Sequence, residues 1–140
     1  LEILPAGYVR EFLGYDHFIL TFDELKAIVN GEAAHREWHR SLKAVAGIYL
    51  ITDSTTGQQY VGSAYGEEGV FGRWQKYSKT GHGGNVMLRA LLESNEEHAK
   101  NFSFTLLRTL DKSMTRDEVF KLESLYKNKL GSRVRGLNSN

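Results

Sequence analysis

The sequence contains no cysteine, and it has neither a long apolar run nor a signal-like amino terminus. The absence of cysteine excludes disulfides and thiolate metal sites, and it fits the reducing cytoplasm in which we expect the protein to work. No apolar run approaches the roughly 18 residues that a membrane-spanning helix requires, and no cleavable signal pattern is present. These absences leave an ordinary globular domain as the expectation.

Net charge is also low, at +1, but the charges are unevenly distributed. Residues 1–37 carry seven acidic and three basic groups, a balance of −4, whereas residues 38–140 carry fifteen basic and ten acidic groups, a balance of +5. Such an excess suits phosphate binding, although on charge alone solvated helix faces are the simpler interpretation. The basic groups gather in two stretches, Arg73, Lys76, Lys79 and Arg89, and then Lys121, Lys127, Lys129, Arg133 and Arg135.

The pattern of apolar residues predicts a small α/β (α+β) fold. Capping boxes at Thr21–Glu24 and Thr115–Glu118 each begin a helix, and Gly31 and Gly131 end those helices. The short polar turn between the first two predicted strands indicates an antiparallel hairpin. Strands are predicted at residues 45–52, 58–64 and 102–106, with further helices at 33–43, at 69–79 and from 86 onwards.

A chain of 140 residues with 41% hydrophobic content supports a single core. We expect residues 45–140 to form the main domain and residues 1–44 to form an N-terminal helical extension, as a linker or as part of a neighbouring domain. Because the chain begins with Leu1 rather than methionine, a targeting domain outside it is also expected.

Two glycine–tyrosine motifs lie on the strands of the predicted hairpin. Gly47–Tyr49 (Gly-Ile-Tyr) and Tyr60–Gly62 (Tyr-Val-Gly) place two phenols eleven positions apart, and adjacent antiparallel strands bring such side chains to one face. The flanking glycines would let a substrate backbone approach closely. Strand tyrosines that merely pack a small core would give the same motifs, so this pattern alone leaves both interpretations open.

Two charged residues on predicted helices are the other candidates for chemistry. Arg73 carries planar donors that match phosphate oxygens in pairs. Glu123 lies on the apolar side of the last helix, between Val119 and Tyr126, where an unpaired carboxylate is costly. A metal ion would satisfy this carboxylate, and an ion pair with Lys127 one turn later would do so more simply.

Taken in order, these residues resemble the GIY-YIG nuclease superfamily over about residues 45 to 139. The resemblance rests on Gly47–Tyr49, Tyr60–Gly62, Arg73, Glu123 and Asn138. It implies a compact domain with a three-stranded antiparallel sheet flanked by helices. It also implies hydrolysis of DNA phosphodiesters with a single divalent cation, Mg²⁺ or Mn²⁺.

The resemblance further implies a role for each residue of the set. Glu123 would be the metal ligand, and Arg73 would be the phosphate clamp. Tyr49 and Tyr60 would be the two catalytic tyrosines, and Asn138 would support the site.

Two positions vary within the superfamily. Tyr77 stands where several members have histidine and others have tyrosine. Some members carry a lysine three residues beyond the second tyrosine, where this chain has Ser63 followed by Ala64. Either Lys76 or Lys79 then substitutes for that lysine, or metal-bound water does the work, or the activity is weaker.

The expected reaction is cleavage of DNA, one strand at a time. A tyrosinate, Tyr49 in preference to Tyr60, would take the proton of the attacking water, while the metal on Glu123 and the guanidinium of Arg73 neutralise the phosphate. Such a base requires a phenol pKa that the neighbouring cation and Arg73 lower from its usual value of about 10.

DNA is the expected partner, and specificity would come from a homodimer partner or a targeting domain, because residues 1–44 contain no sequence-reading motif. For His82, an exposed loop tip is the simpler interpretation. The alternative function is a catalytically inactive DNA-binding or structural module of the same fold. Residues expected to contact DNA are Lys76, Lys79, His82, Arg89, Lys127, Arg133 and Arg135.

Overall fold

The computed structural model of the protein describes residue 4 and residues 8–139. Every helix and strand predicted from the sequence is present there, and β1, the 3₁₀ helix and α6 are additional. Within those residues, no helix combines the length and the apolar character needed to cross a membrane. In chain order the elements are β1 (Leu20–Thr21), α1 (Phe22–Asn30), α2 (Arg36–Lys43), β2 (Ala46–Asp53), β3 (Gln59–Ala64), α3 (Gly69–Thr80), α4 (Val86–Ser94), a 3₁₀ helix (Glu96–Asn101), β4 (Phe102–Leu110), α5 (Arg116–Leu130) and α6 (Ser132–Arg135).

The strands form one antiparallel sheet with four strands in the order β1-β4-β2-β3. The prediction of a mixed fold with an antiparallel sheet flanked by helices is confirmed, but the sheet has four strands rather than three. The additional strand, β1, is only two residues long, which is too short for an alternating pattern to reveal it. The predicted hairpin is β2–β3, with Tyr49 opposite Gly62 and Ile51 opposite Tyr60.

Helices cover both faces of this sheet, so that each face has its own apolar core. On one face, Tyr49 and Ile51 pack in the same cluster as Trp74 of α3. On the other face, Ile48 packs in a cluster with Val119 of α5. The two sets alternate along β2 because successive side chains of a strand point to opposite faces.

Beside Tyr49 the pairing of β2 with β4 is irregular. Ile48 pairs with Arg108 and Tyr49 pairs with Leu106, so that Leu107 is left between the two pairs. A bulge of this kind bends the strand and increases its twist. The irregularity therefore lies directly beside the first of the two motif tyrosines.

The N-terminal helices belong to the same core as the sheet. Leu25 and Ile28 of α1 and Trp38 and Leu42 of α2 are at most 1% exposed, and they pack in the cluster that contains Tyr49. The boundary predicted at residue 44 stays a prediction, but these two helices are packed as parts of one unit with the sheet.

The capping boxes predicted at the starts of α1 and α5 are confirmed. Thr21 accepts a hydrogen bond from the backbone of Glu24 at 3.1 Å, and Thr115 accepts one from the backbone of Glu118 at 3.2 Å. Gly131 ends α5 with a φ of +66°, in the left-handed region that favours glycine.

After α6, the chain continues along the free edge of β3. The amide of Leu137 donates to the carbonyl of Gln59 at 2.8 Å. The side chain of Asn138 accepts from the amide of Val61 at 2.8 Å and donates to the carbonyl of Val61 at 2.9 Å. Asn138 therefore satisfies the backbone of an edge strand that would otherwise have unpaired groups.

Candidate active site

A cleft of about 860 Å³ opens between the β2–β3 hairpin, α3 and α5. The hairpin contributes Tyr49 and Tyr60 to its lining, α3 contributes Arg73, and α5 contributes Glu123 and Lys127. Four of these are residues to which the GIY-YIG resemblance assigns catalytic roles. The fold thus brings them together from distant parts of the sequence.

The ring of Tyr49 packs over Gly62, the glycine of the second motif, on the neighbouring strand β3. A Cβ atom added at Gly62 would lie 2.3 Å from Cζ of Tyr49, a distance that non-bonded carbon atoms do not tolerate. The space above Gly62 is therefore filled by the Tyr49 ring. This corrects the expectation that the motif glycine provides room for a substrate backbone.

A chain of hydrogen bonds joins three tyrosines of the site. The hydroxyl groups of Tyr49 and Tyr77 lie 2.8 Å apart. The side-chain amide of Asn85 donates to the hydroxyl of Tyr77, and the hydroxyl of Tyr60 donates to Oδ1 of Asn85 at 2.7 Å. Asn85 is therefore the residue that connects Tyr60 to the other two tyrosines.

The sequence reveals only part of the role of Asn85. Its place before α4 predicts an N-cap, and it does occupy that position, but its side chain makes no capping hydrogen bond. Instead, both ends of its amide are used by tyrosines. An asparagine before a helix carries no local signal for such a tertiary contact.

Arg73 is fixed by the glycine-rich loop that follows α3. Its Nη1 donates to the carbonyl of Gly83 at 3.0 Å, and its guanidinium lies over the ring of Tyr77, with Cζ 4.9 Å from the ring centre. Gly83 has a φ of +58°, and a Cβ atom there would lie 2.7 Å from the Tyr77 ring. Glycine at this position therefore allows the loop to approach Tyr77 and reach Arg73.

Glu123 has a partner on each carboxylate oxygen. The hydroxyl of Ser63 donates to Oε1 at 2.6 Å, and Nζ of Lys127 lies 2.9 Å from Oε2. The ion pair that the sequence suggested is present. Ser63, which stands where some members of the GIY-YIG superfamily carry a lysine, contacts Glu123 directly.

Lys127 occupies a different environment from the one expected. Its side chain is 5% exposed, and it lines the cleft beside Glu123. Lys127 is therefore buried at the cleft rather than open to solvent, and its expected contact with DNA stays a prediction. Lys76, one of the two expected substitutes for the missing lysine, is exposed at the cleft, whereas Lys79 lies outside its lining.

The electrostatic environment of the tyrosines opposes their ionisation. Burial raises the pKa of Tyr49 above its usual value, and the nearby guanidinium of Arg73 lowers it by less. Burial likewise raises the pKa values of Tyr60 and Tyr77, and the neighbouring phenols raise them further. The expected lowering of a phenol pKa by Arg73 is therefore outweighed by desolvation.

Tyr49 and Tyr60 also differ in their access to the cleft. Tyr49 is 1% exposed, and its hydroxyl is engaged with Tyr77. Tyr60 is only partly buried. The geometry therefore favours Tyr60 over Tyr49 as the tyrosine that meets a water molecule.

The remaining predicted DNA contacts lie outside this cleft. Lys79, His82 and Arg89 line a second cleft of about 510 Å³. Within it, Nδ1 of His82 accepts from the amide of Gly84 at 2.8 Å, and burial, together with the charge of Arg89, lowers the pKa of His82. Arg133 and Arg135 are exposed on α6, and Asn138 is absent from the lining of either cleft.

The residues around Glu123 fit a cation that is held by one carboxylate and by water. Among residues 4 and 8–139, no group of three or more acidic, histidine or cysteine side chains could hold a metal. Mg²⁺ commonly keeps several waters and binds through one or two carboxylates and substrate phosphates. Glu123 is therefore the side chain at this cleft that would hold a cation.

Comparison with known proteins adds evidence at the level of the fold. No protein-family model matches the sequence, and no curated protein matches it significantly. Two solved structures of the catalytic domain of I-TevI, a homing endonuclease, are similar to this chain. One, a mutant form, has 22% sequence identity and a TM-score of 0.53, with 69% of this chain and 94% of that chain covered.

The second structure of that domain has 24% identity and a TM-score of 0.50, with 66% of this chain and 96% of that chain covered. Almost the whole length of the I-TevI domain is thus matched. The chain has the fold of the I-TevI catalytic domain, and the GIY-YIG resemblance in its sequence is confirmed at the level of the fold.

Proposed function

We propose that this protein is a divalent-metal-dependent DNA endonuclease that hydrolyses one strand at a time. The observation that carries this proposal is the convergence of Tyr49, Tyr60, Arg73 and Glu123 on one cleft. The likeness to a domain described as the catalytic domain of a homing endonuclease supports it.

Arg73 would bind the phosphate that is to be cleaved. Its contacts with the carbonyl of Gly83 and the face of the Tyr77 ring hold the plane of the guanidinium, and the same group lines the cleft. Because the guanidinium is already held in place before the phosphate binds, it can stabilise the negative charge that develops on the phosphate without having to reorient.

Tyr60 would orient the attacking water. Because the Tyr60 hydroxyl donates its proton to Asn85, its oxygen remains an acceptor toward the cleft. Its pKa is raised by burial, so the phenol is neutral near pH 7. A neutral phenol accepts a hydrogen bond from water and aligns it for attack. The proton that this water loses passes to solvent in the open cleft, and the departing 3′-oxygen takes a proton from solvent.

Tyr49 would act as a hydrogen-bond donor. The Tyr77 oxygen accepts from Asn85 and, at 3.5 Å, from Nη2 of Arg73, so its own proton is directed to the Tyr49 oxygen. The Tyr49 proton is then available to an oxygen of the bound phosphate.

Glu123 would hold the divalent cation, Mg²⁺ or Mn²⁺. Such a cation, when bound, supplies positive charge that offsets the charge developing on the phosphate. Ser63 keeps the carboxylate oriented through Oε1. Lys76, exposed at the rim of the cleft, would contact the backbone of the DNA on either side of the scissile bond.

The proposal is tested by nicking of supercoiled plasmid in Mg²⁺, in Mn²⁺ and in EDTA. We expect the wild type to give the nicked form before the linear form, and only with metal. Glu123→Gln and Arg73→Ala should each slow nicking roughly 100-fold or more, as removal of other electrostatic catalytic groups does.

Asp117→Asn is the matched control, since Asp117 is an exposed acid on the same helix as Glu123. Its nicking rate should stay close to that of the wild type. Near-normal nicking by a folded Glu123→Gln protein would exclude Glu123 as the metal ligand.

One observation favours a second candidate function, an inactive DNA-binding module of the same fold. Both oxygens of Glu123 already have partners within the protein, as expected of a site that binds no metal. A folded wild type that binds DNA but leaves plasmid uncut in either metal would establish this alternative.

A further inference from the structure

Lys127 is a buried cation placed beside the carboxylate proposed to hold the metal. It lies four residues after Glu123 on α5, and such spacing puts both side chains on one face of a helix. Nζ is 2.9 Å from Oε2, and the two side chains are 5% and 17% exposed, respectively. A charge so buried is costly without a partner. Glu123 and Lys127 therefore stabilise one another when no ligand is bound.

The neighbouring lysines of α5 are placed differently. Lys121 is exposed, and Lys129, also exposed, lies over the ring of Tyr126 with Nζ 5.4 Å from its centre. Among the lysines of this helix, Lys127 is the one that lines the cleft. The ammonium beside Glu123 is thus a specific feature of the site rather than part of a generally basic helix.

Ser63 makes the arrangement asymmetric. It donates a neutral hydrogen bond to Oε1, whereas Lys127 places a full positive charge at Oε2. A divalent cation at Oε2 would meet the ammonium as a like charge at close range. A cation and Lys127 Nζ therefore exclude one another from that oxygen.

We propose that Lys127 is a built-in competitor of the divalent cation, which holds Glu123 in the metal-free protein and leaves Oε2 when the metal binds. This inference rests on the proposed function, because it takes Glu123 as the metal ligand. It makes Lys127 a positioning residue that sets the affinity of the site for metal.

The test is calorimetric titration of Mn²⁺ alone, without DNA, into the full chain. Lys127→Met should bind Mn²⁺ at least about tenfold more tightly than the wild type, since the competing charge is gone. Lys121→Met, the matched control on the exposed face of α5, should bind with the affinity of the wild type. Glu123→Gln should abolish binding at this site in both the wild-type and the Lys127→Met backgrounds.

Thermal unfolding gives a second readout that is independent of cleavage. Without metal, Lys127→Met should melt below the wild type, because Glu123 has lost its cation. Mn²⁺ should raise its melting temperature by more than it raises that of the wild type, because a ligand that binds the native state more tightly stabilises it more. If Lys127→Met does not fold, Lys127→Gln, which retains a donor for Oε2, carries the same predictions.

The outcomes separate this inference from the proposed function. Unchanged, weaker or absent Mn²⁺ binding in the folded Lys127 variants overturns the inference, even if the wild type nicks plasmid. Tighter binding through Glu123 supports it, and a wild type that nevertheless leaves plasmid uncut overturns only the proposed function.

Discussion

At the scale of single residues, hydrogen-bond direction separates the two motif tyrosines. The hydroxyl of Tyr60 donates a hydrogen bond to Asn85, and Tyr60 is partly buried at the cleft. Tyr49 is buried, with its hydroxyl against Tyr77. Two identical side chains on adjacent strands therefore have different surroundings, and in the proposed function Tyr60 accepts from water whereas Tyr49 donates to phosphate.

Replacing Tyr60 with phenylalanine tests the acceptor role. We expect Tyr60→Phe to slow nicking roughly 10-fold to 100-fold, in the lower range of what a positioned proton-handling group contributes. The pKa of Tyr60 is raised, and a phenol with a raised pKa stays protonated to higher pH. The rate should therefore keep the same pH dependence in wild type and variant between about pH 6 and pH 9.

The pH–rate profile is measured in Mg²⁺, with Tyr126→Phe, a change on the opposite face of the sheet, as the control. A wild-type rate that increased about tenfold per pH unit, beside a pH-independent Tyr60→Phe rate, would show that Tyr60 ionises in the reaction and would overturn the neutral role.

Gly62 is a residue whose substitution should affect the site through packing alone. In Gly62→Ala the new Cβ would meet Tyr49 Cζ at 2.3 Å, so the ring must leave its place against Tyr77. We expect a loss of about 1–3 kcal/mol in the free energy of unfolding, as for other overpacked cores. Nicking should also fall, measured at a temperature where the variant is folded.

Gly57→Ala is the control for that substitution. Gly57 lies in the turn of the same hairpin with open space around it, but its φ is +76°, so alanine there is strained without touching the site. It should lose stability and keep its nicking rate once folded. Equal loss of nicking in both variants would refute the packing explanation.

At the scale of elements, a buried acid connects the end of β2 to the 3₁₀ helix. Oδ2 of Asp53 lies 2.7 Å from Nε2 of His98, and Oδ1 accepts from the backbone and hydroxyl of Thr55 at 2.9 and 2.7 Å. Burial raises the pKa of Asp53, but the hydrogen bonds from Thr55 and His98 more than offset it. The net pKa lies below its ordinary value.

A lowered pKa makes this link sensitive to acid. The stabilisation is complete above the ordinary pKa of about 4 and is lost as pH falls through the lower pKa of the folded state. Asp53→Asn should therefore reduce the free energy of unfolding by about 1–3 kcal/mol near pH 7, and the difference from wild type should shrink below about pH 4. Urea unfolding between about pH 3 and pH 7 measures this difference in the free energy of unfolding, with the exposed Asp16→Asn variant as the control. A difference that stays constant with pH would contradict the role of the Asp53 carboxylate.

The C-terminal segment is a second link at this scale. Asn138 was expected to support the site, and it lies against the strand that carries Tyr60, with its side chain hydrogen-bonded to the backbone of Val61. We expect Asn138→Ala to cost about 2 kcal/mol, because two buried backbone groups lose their partners. Amide exchange of Val61 should accelerate, whereas Asn128→Ala, an exposed change on α5, should leave it unaltered.

Exchange of the Val61 amide at the wild-type rate in Asn138→Ala would show that the C-terminal segment is dispensable for β3. In that case the segment would pack beside the hairpin without holding it.

At the scale of the whole molecule, one sheet is shared by two cores. The core that holds Tyr49 is completed by α1 and α2, and the other is closed by α5, which carries Glu123. The cleft lies where α3 and α5 meet the hairpin, so its geometry depends on the packing of both faces.

This dependence predicts the result of removing the N-terminal segment. A chain of residues 45–140 would lose Leu25, Ile28, Trp38 and Leu42, all at most 1% exposed, and it would expose the core around Tyr49. We expect no cooperative thermal transition by circular dichroism, because removal of one buried apolar side chain costs about 2–5 kcal/mol of stability in other proteins. Cooperative unfolding of the shortened chain would instead place a domain boundary at residue 44.

Much of the fold was predictable because its signals are local. The capping boxes at Thr21 and Thr115, the glycine that ends α5 and the alternating strands of the β2–β3 hairpin all depend on residues within a few positions of each other. Of the motif residues predicted to act together, Tyr49, Tyr60, Arg73 and Glu123 do meet in one cleft, whereas Asn138 lies outside its lining.

The sequence by itself thus determined most of the helices and strands and the candidate site residues, since these follow from short-range periodicity, capping chemistry and motif order. Only the tertiary structure decided that β1 joins the sheet, that Asn85 connects the tyrosines, and that Ser63 binds Glu123. Ser63 and Glu123 are 60 residues apart, and no local pattern encodes a contact at that separation. The raised pKa values of the tyrosines have the same origin, because burial is a property of the packed chain.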